Sequence, residues 1–307
     1  MILDRTIARL LPAVPKQVVQ KLSERYIAGP ELSDAIRVVE GLNAEGKLAT
    51  IDVLGEEITH EDEAREIARA YRDVFETIDR GNLGSNVSVK LTGLGLELDH
   101  DLCRENLESV VQEARERSNF VRIDMEHSAT TDATLRFYRE LREAGYDNVG
   151  IVLQSYLRRT MSDIEALVDL KPSVRLVKGI YVEPEEIAYQ GFDEVRVNFV
   201  RALDELLDAG CYVAIATHDE WLLDEGRRLV KKHGLGPEEY EFQMLLGVRD
   251  RLGDVLVGEG HRLRVYVPFG THWYEYSLRR LQENPKIAGY IAADTLGRLV
   301  PRRNGSS

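Results

Sequence analysis

Lys90 in "SVKLTG", Asp124 and Glu126 in "VRIDMEH", Arg175 and Lys178 in "SVRLVKGIY", His218 and Asp219 in "ATHD", Gln243 in "YEFQMLLG" and Tyr266 in "RVYVPFG" stand toward the ends of short β-rich stretches. Side chains of these types can bind an anion, grip a polar ring, move a proton or ligate a metal. Two more arginines, Arg279 and Arg280, sit side by side behind Trp273, Tyr274 and Tyr276. A guanidinium fork suits a carboxylate or phosphate. A salt-bridged surface helix is the alternative, because Glu275, Arg279 and Glu283 follow one another at four-residue spacing. That alternative explains the acids but leaves the aromatics unexplained. A helix both aromatic and cationic suits a lid over an anionic, partly apolar ligand.

Two other chemistries fit some of these residues. His127 and His218, beside Asp124, Glu126 and Asp219, could ligate a metal. The chain has no H-E-x-x-H and no H-x-H on its first strand, and a lone histidine at a strand end is more often a hydrogen-bonding group, so no metal is expected. Lys90 or Lys178 could form a Schiff base, but an ion pair that keeps the lysine charged would prevent it.

The elements that must position these groups repeat regularly. β-rich stretches occur at residues 48–56, 86–93, 120–127, 149–156, 173–181, 211–219, 240–247 and 262–270, separated by helical patterns. "THEDEAREIARAYRDVFETI" opens on Thr59 and acids, and "TTDATLRFYRELREAG" ends on Gly145. Eight strand–helix units predict an α/β (βα)8 barrel, with a doubly wound sheet as runner-up. The partial glycine pattern "TGLGLEL" lacks a third glycine and argues weakly for the latter. The expected organisation is a helical arm at 1–47, a barrel at 48–285 and a last helix with a polar end at 286–307.

Strand parity refines the site. Val87, Val89 and Leu91 share one face of the second strand, which leaves Ser88, Lys90 and Thr92 facing the barrel interior. Lys90, Asp124, Gln243 and Tyr266 then converge at the mouth, and a buried Lys90 is expected to pair with Asp124. A purely stabilising interior ion pair has the same signature. Arg175 allows an anion contact or an interior salt bridge, and Gln154 a ligand contact or backbone hydrogen bonds.

Composition sets the limits. The 307-residue chain carries a net charge of −13, which disfavours nucleic-acid partners. Two cysteines suggest no disulfide framework and fit a reducing cytosol. The N-terminus makes a poor signal peptide, and no apolar run reaches the roughly 18 residues of a spanning helix. Peripheral membrane contact stays open.

"SVKLTGLG", "VRIDME", "RLVKGIY", "ATHD", "YEFQMLLGV", "RVYVPFG" and above all "YSLRRLQEN" together resemble the proline dehydrogenase family of the monofunctional bacterial type. The resemblance spans the whole barrel. It implies FAD at the C-terminal strand ends and oxidation of L-proline to Δ1-pyrroline-5-carboxylate. It also implies a membrane quinone as electron acceptor and a separate pyrroline-5-carboxylate (glutamate-semialdehyde) dehydrogenase downstream. The enzyme would be cytoplasmic, touching the inner face of the membrane. Carried onto this chain, Arg279 and Arg280 bind the proline carboxylate, and Lys90, Asp124, Tyr181, Leu245 and Tyr266 complete the substrate pocket. Met125, Gln154, Arg175, Val177, Lys178, Gly179, Thr217, His218, Gln243, Arg280 and Glu283 fall at flavin positions. Glu56 fits a gate with Arg279. Asp124 and Arg175 are the candidate catalytic residues. Ile180 and Asp219 depart from the family's usual "KGAY" and "THN". A neutral amine is the better hydride donor, so activity should rise with pH.

Overall fold

The computed structural model describes residues 25–55, 58–274, 276 and 277. Eight parallel strands close into a barrel in sequence order. They are β1 (Leu48–Val53), β2 (Ser85–Val89), β3 (Val121–Ile123), β4 (Val149–Gln154), β5 (Ser173–Val177), β6 (Tyr212–Ala216), β7 (Tyr240–Leu245) and β8 (Leu263–Phe269). Helix α1 (Leu32–Ala44) precedes β1. Between the strands run α2 (Glu61–Gly81), α3 (His100–Glu116), α4 (Thr131–Glu143), α5 (Thr160–Leu167), α6 (Phe192–Asp208), α7 (Glu220–Lys232) and α8 (Asp250–Gly258). All eight expected strands are present, and the doubly wound alternative is excluded by the closure of β8 onto β1.

Local chemistry starts and stops the helices. The Glu63 carboxylate accepts the N–H groups of Thr59 and His60, and Asp99 accepts from Leu102 N–H at 2.8 Å. Gly145, at φ +86°, follows α4 in the left-handed region that glycine tolerates. Helix α2 buries Ala64, Tyr71, Val74, Phe75 and Ile78, one stripe at helical spacing. From that stripe the Tyr71 hydroxyl donates to Ser88 O at 2.7 Å and accepts the Val53 N–H, tying β1 to β2.

The outward faces of the strands form the apolar layer under the helices: Ile51, Val87, Val89, Ile123, Ile151, Val174, Leu176, Val213, Ile215 and Phe242 are buried in one core. The inward faces are polar. Arg122, Arg175, Gln243, Glu241 and Asp52 are all 5% exposed or less, so four charges and one amide must be answered inside the barrel. Both cysteines are buried thiols, and burial pushes Cys103 up to about 12 and Cys211 to about 11. β3 is shorter than expected, because beyond Ile123 the chain bends and Glu126 is captured by the N–H and hydroxyl of Thr92.

Of the expected N-terminal arm, α1 opens two residues after Pro30, buries Ala35 and Val39, and packs against β1 and β8. Residues 1–24 and the expected C-terminal helix lie outside the described residues. Among the described residues no helix is long and apolar enough to cross a membrane.

Candidate active site

One hydrogen-bonded network crosses the barrel mouth. Lys90, at the end of β2, donates to Asp52 Oδ2 at 2.7 Å and to the Tyr266 hydroxyl at 2.9 Å. Tyr266 donates in turn to Asp124 Oδ2 at 2.9 Å. The other oxygen of Asp124 accepts Arg175 Nη1 at 2.6 Å. Arg175 Nε donates to Gln243 Oε1 at 2.5 Å. Lys90 does face Asp124, but at 3.5 Å its ammonium stands farther from that carboxylate than from Asp52. The expected pair is present, and each member has a shorter partner besides: Asp52 holds Lys90, and Arg175 holds Asp124. Strand parity identifies the face of a side chain but not its height, and the stagger of the barrel decides which heights meet. An ammonium donating to two oxygen acceptors has no lone pair with which to attack a carbonyl, which removes the reason to read Lys90 as a Schiff-base lysine.

Burial is the first cause, and the negative charge of Asp124 the second, that holds the Tyr266 phenol well above its ordinary value. It is a neutral donor at physiological pH. The guanidinium carbon of Arg175 lies 5.3 Å from the centre of its ring, a cation–π contact.

Above this network opens a cavity of about 530 Å³, within the range of ligand sites. Among the described candidates it gathers Lys90, Asp124, Tyr181, Leu245 and Tyr266 with Met125, Gln154, Arg175, Val177, Lys178, Gly179, Thr217, His218 and Gln243. Five cationic side chains line it, Lys90, Arg175, Lys178, Arg196 and Arg249, against two carboxylates, Asp124 and Asp219. Arg249 is answered by Glu220 and Lys90 by Asp52, both outside the lining. Five cations against these four carboxylates leave the walls one positive charge in excess, in a chain whose net charge is −13, which suits an anionic ligand.

One feature of the walls points to a bound group. Gln154 Nε2 donates to Met125 O at 3.2 Å, while its buried Oε1 has no hydrogen-bond partner among the described residues. Such an acceptor normally has a donor. Gly179 has φ +106°, and a Cβ there would run into the ring of Tyr156. The backbone beyond β5 therefore packs tightly on Tyr156 while Gly179 lines the cavity.

The two histidines do not come together on a metal. The ring of His127 meets Glu97 at 3.2 Å, and His218 Nε2 accepts the Leu245 N–H at 2.9 Å. His218 is thereby fixed with Nε2 unprotonated, a positioning role for the β7 end. Among the described residues no cluster of three or more His, Cys, Asp or Glu could hold a metal ion.

Asp52, Glu241 and Arg196 are site residues that the sequence reading passed over. Asp52 and Glu241 each alternate with apolar neighbours on an inward face, a signal present in "TIDV" and "YEFQ". Arg196 has no such periodic signal. Its guanidinium stacks 4.2 Å from the Phe192 ring centre and 5.2 Å from that of Trp221, and it forks onto Asp219 at 2.6 and 2.9 Å. Asp219, where the family pattern has an amide, is shared with Lys178 at 3.3 Å.

The start of the last helix is in place: Trp273 meets Tyr274 edge-to-face, and Tyr276 packs with Ile27 and Leu54. Arg279, Arg280, Glu283 and Glu56 lie outside the described residues.

Comparison with known proteins follows this geometry. A family model described as proline dehydrogenase matches residues 35–292. A proline dehydrogenase of Deinococcus radiodurans is 38% identical over 285 residues, covering 92% of each chain. Proline dehydrogenase 2 of Bacillus subtilis is 40% identical over 261 residues, 85% of this chain and 86% of that one. Among solved structures, proline utilization A from Bdellovibrio bacteriovorus, inactivated by N-propargylglycine, matches with a TM-score of 0.80 at 26% identity, over 86% of this chain and 33% of that one. Proline utilization A from Corynebacterium freiburgense gives 0.76 at 21% identity over 99% of this chain and 36% of that one, a likeness of fold alone. The chain thus spans about a third of these two longer proteins. The match along nearly the full length of the curated enzymes settles the assignment: the chain belongs to the proline dehydrogenase family.

Proposed function

We propose that the chain oxidises L-proline to Δ1-pyrroline-5-carboxylate with FAD bound in the barrel mouth, the electrons passing to a membrane quinone. The product would go to a separate dehydrogenase that completes conversion to glutamate. The observation that carries this reading is the cavity itself. At about 530 Å³ it exceeds what one small amino acid fills, and its walls are cationic. A zwitterion with an apolar ring needs a cationic clamp and an apolar wall. A dinucleotide needs a longer site with donors for its phosphates and polar partners for its ring system.

The residues present fit FAD on both counts. Gln154 offers a buried acceptor without a partner among the described residues. Lys178 and Arg196 supply cations at the rim, and Gly179 lines the cavity. Met125, Gln154, Arg175, Val177, Lys178, Gly179, Thr217, His218 and Gln243 would hold the flavin, and Arg175 would place a positive charge beside it. When bound, FAD supplies the two-electron acceptor for the hydride from proline.

The rest falls to the chain's own groups. Tyr266 and Leu245 present a wall for the proline ring, with Tyr181 beside them. Lys90 and Tyr266 fix the Asp124 carboxylate, whose negative charge would attract the substrate's nitrogen. Arg279 and Arg280 are the proposed carboxylate fork, with Glu56 as the gate partner of Arg279 and Glu283 on the flavin side. Closure over the mouth would exclude water from the donor carbon.

The absorption spectrum of the purified protein tests this. Flavin bands that bleach anaerobically on adding L-proline are expected. A colourless protein, or bands indifferent to proline, overturns the reading.

A further inference from the structure

Below the network already described, β7 continues it to the barrel floor. Glu241 lies two residues before Gln243 and so on the same inward face. It is 2% exposed. Its Oε1 accepts Gln243 Nε2 at 2.5 Å, and its two oxygens accept Arg264 Nε at 2.9 and 3.0 Å. Arg264 is itself anchored by donating to Ala49 O at 2.7 Å.

The chemistry of the three groups allows one arrangement only. A carboxylate accepts hydrogen bonds, and a guanidinium donates them. The Gln243 amide lies between one of each. Its NH₂ must face Glu241, and its oxygen must face Arg175. A flipped amide would set NH₂ against guanidinium and oxygen against carboxylate, two buried contacts without a proton to share. Arg175 is thereby held at two points, Nε by Gln243 and Nη1 by Asp124, which fixes the plane of its fork under the cavity. Its Nη2 has no partner among the described residues. Arg264 keeps Glu241 ionised: burial alone would raise its carboxyl, but the Arg264 charge and hydrogen bonds outweigh that and hold it below the usual range.

We infer that Glu241, which touches neither substrate nor cofactor, is the positioning residue for Arg175, acting through the locked amide of Gln243. The inference rests on the reading that Arg175 stands beside the flavin. Its geometric core, a guanidinium oriented from the floor, can be measured apart from that reading.

The test uses the full chain as purified, in wild type, Glu241→Leu, which removes both acceptor oxygens, and the double variant Glu241→Leu/Arg264→Leu. The double variant keeps the fold accessible if the single one leaves Arg264 without its counter-charge. Arginine-selective ¹⁵N labelling reads the Arg175 Nε–H, assigned by its loss in Arg175→Lys. In wild type this proton should exchange slowly, and in either Glu241 variant at least tenfold faster. Steady-state kinetics should show kcat for proline lowered about tenfold, with KM within twofold. Gln243→Leu, which removes the acceptor itself, should reproduce the faster exchange. Unchanged Nε–H exchange and unchanged kcat in the double variant overturn the inference, even if its unfolding midpoint drops, since a structural floor would do only that. Absence of flavin from wild type would strike the functional reading instead, and the exchange measurement would still decide whether Glu241 orients Arg175.

Discussion

Asp52 and Lys90 meet at 2.7 Å across the β1–β2 step of the barrel, the Asp52 side chain 1% exposed and that of Lys90 13%. A buried pair of this kind makes little net contribution over an apolar substitute, but removing one partner strands the other. Asp52→Ala leaves the ammonium with the Tyr266 oxygen and the more distant Asp124. The expected loss of stability is about 3–5 kcal/mol, read as a lower urea midpoint. Asp52→Asn, which retains an acceptor oxygen, should lose less. An Asp52→Ala midpoint equal to that of wild type would mean that Lys90 is satisfied without this pair.

The barrel was legible because its two periodicities are clean. Inward polar and outward apolar residues alternate along "NVSVKL" and "YEFQML", and helices with single apolar stripes separate them. The face of each candidate side chain followed from parity alone, and the cavity gathers Lys90, Asp124, Arg175, Gln243 and Tyr266. Partnerships did not follow, because neighbouring parallel strands start at different heights. β1 begins its register with β2 at Ala49 opposite Ser85, but with β8 at Leu48 opposite Arg264. Which carboxylate meets which cation depends on that stagger. Arg196 was invisible for a different reason. It sits on a solvated helix face, where nothing in a period of 3.6 distinguishes an arginine stacked between Phe192 and Trp221 from an exposed one.

Gly179 combines φ +106° with the Tyr156 ring where a Cβ would stand. An L side chain is strained there by the backbone and by the contact together. Tyr156 is itself buried against Leu157 and Ala188, so it has little room to withdraw. Gly179→Ala should cost about 1–3 kcal/mol, and, because Gly179 lines the cavity, it should lower the fraction of purified chains carrying flavin. Wild-type stability with full flavin content would show that the loop after β5 moves aside without cost.

Three buried phenols and the half-buried Tyr212 predict a defined alkaline limit. Burial is the leading cause in each: Tyr71 and Tyr266 lie well above their ordinary value, Tyr212 is pushed up to about 12, and Tyr138 is raised. The fold holds the protonated forms, whereas the unfolded chain releases these protons near pH 10. Their contribution is therefore complete below about pH 10 and declines as pH rises toward the folded values, by up to about 1.4 kcal/mol per pH unit for each phenol. Urea midpoints between pH 8 and pH 11.5 should stay level and then fall. Part of the tyrosinate absorbance of the 13 tyrosines should appear only with unfolding. Complete ionisation in a still-folded protein would refute this.

Tyr266→Phe separates the two duties proposed for that residue. The ring, placed as a wall of the cavity, survives the change. The hydroxyl, which accepts from Lys90 at 2.9 Å and donates to Asp124 at 2.9 Å, does not. Lys90 and Asp124 then face each other directly across 3.5 Å, and Arg175 becomes the closest donor to Asp124 among the described residues. A hydrogen bond to a charged group contributes about 1.5–3 kcal/mol. If Asp124 carries that difference into the transition state, kcat falls by about 10- to 150-fold. KM for proline should stay within about twofold of wild type, because the apolar contact is intact. Tyr266→Leu, which loses the ring as well, should raise KM in addition. Stopped-flow reduction of the bound flavin by proline, measured over a range of proline concentrations, reads both constants. If Tyr266→Phe reduces its flavin at the wild-type rate, the hydroxyl bridge only holds the fold together, and the orientation of Asp124 depends on Arg175.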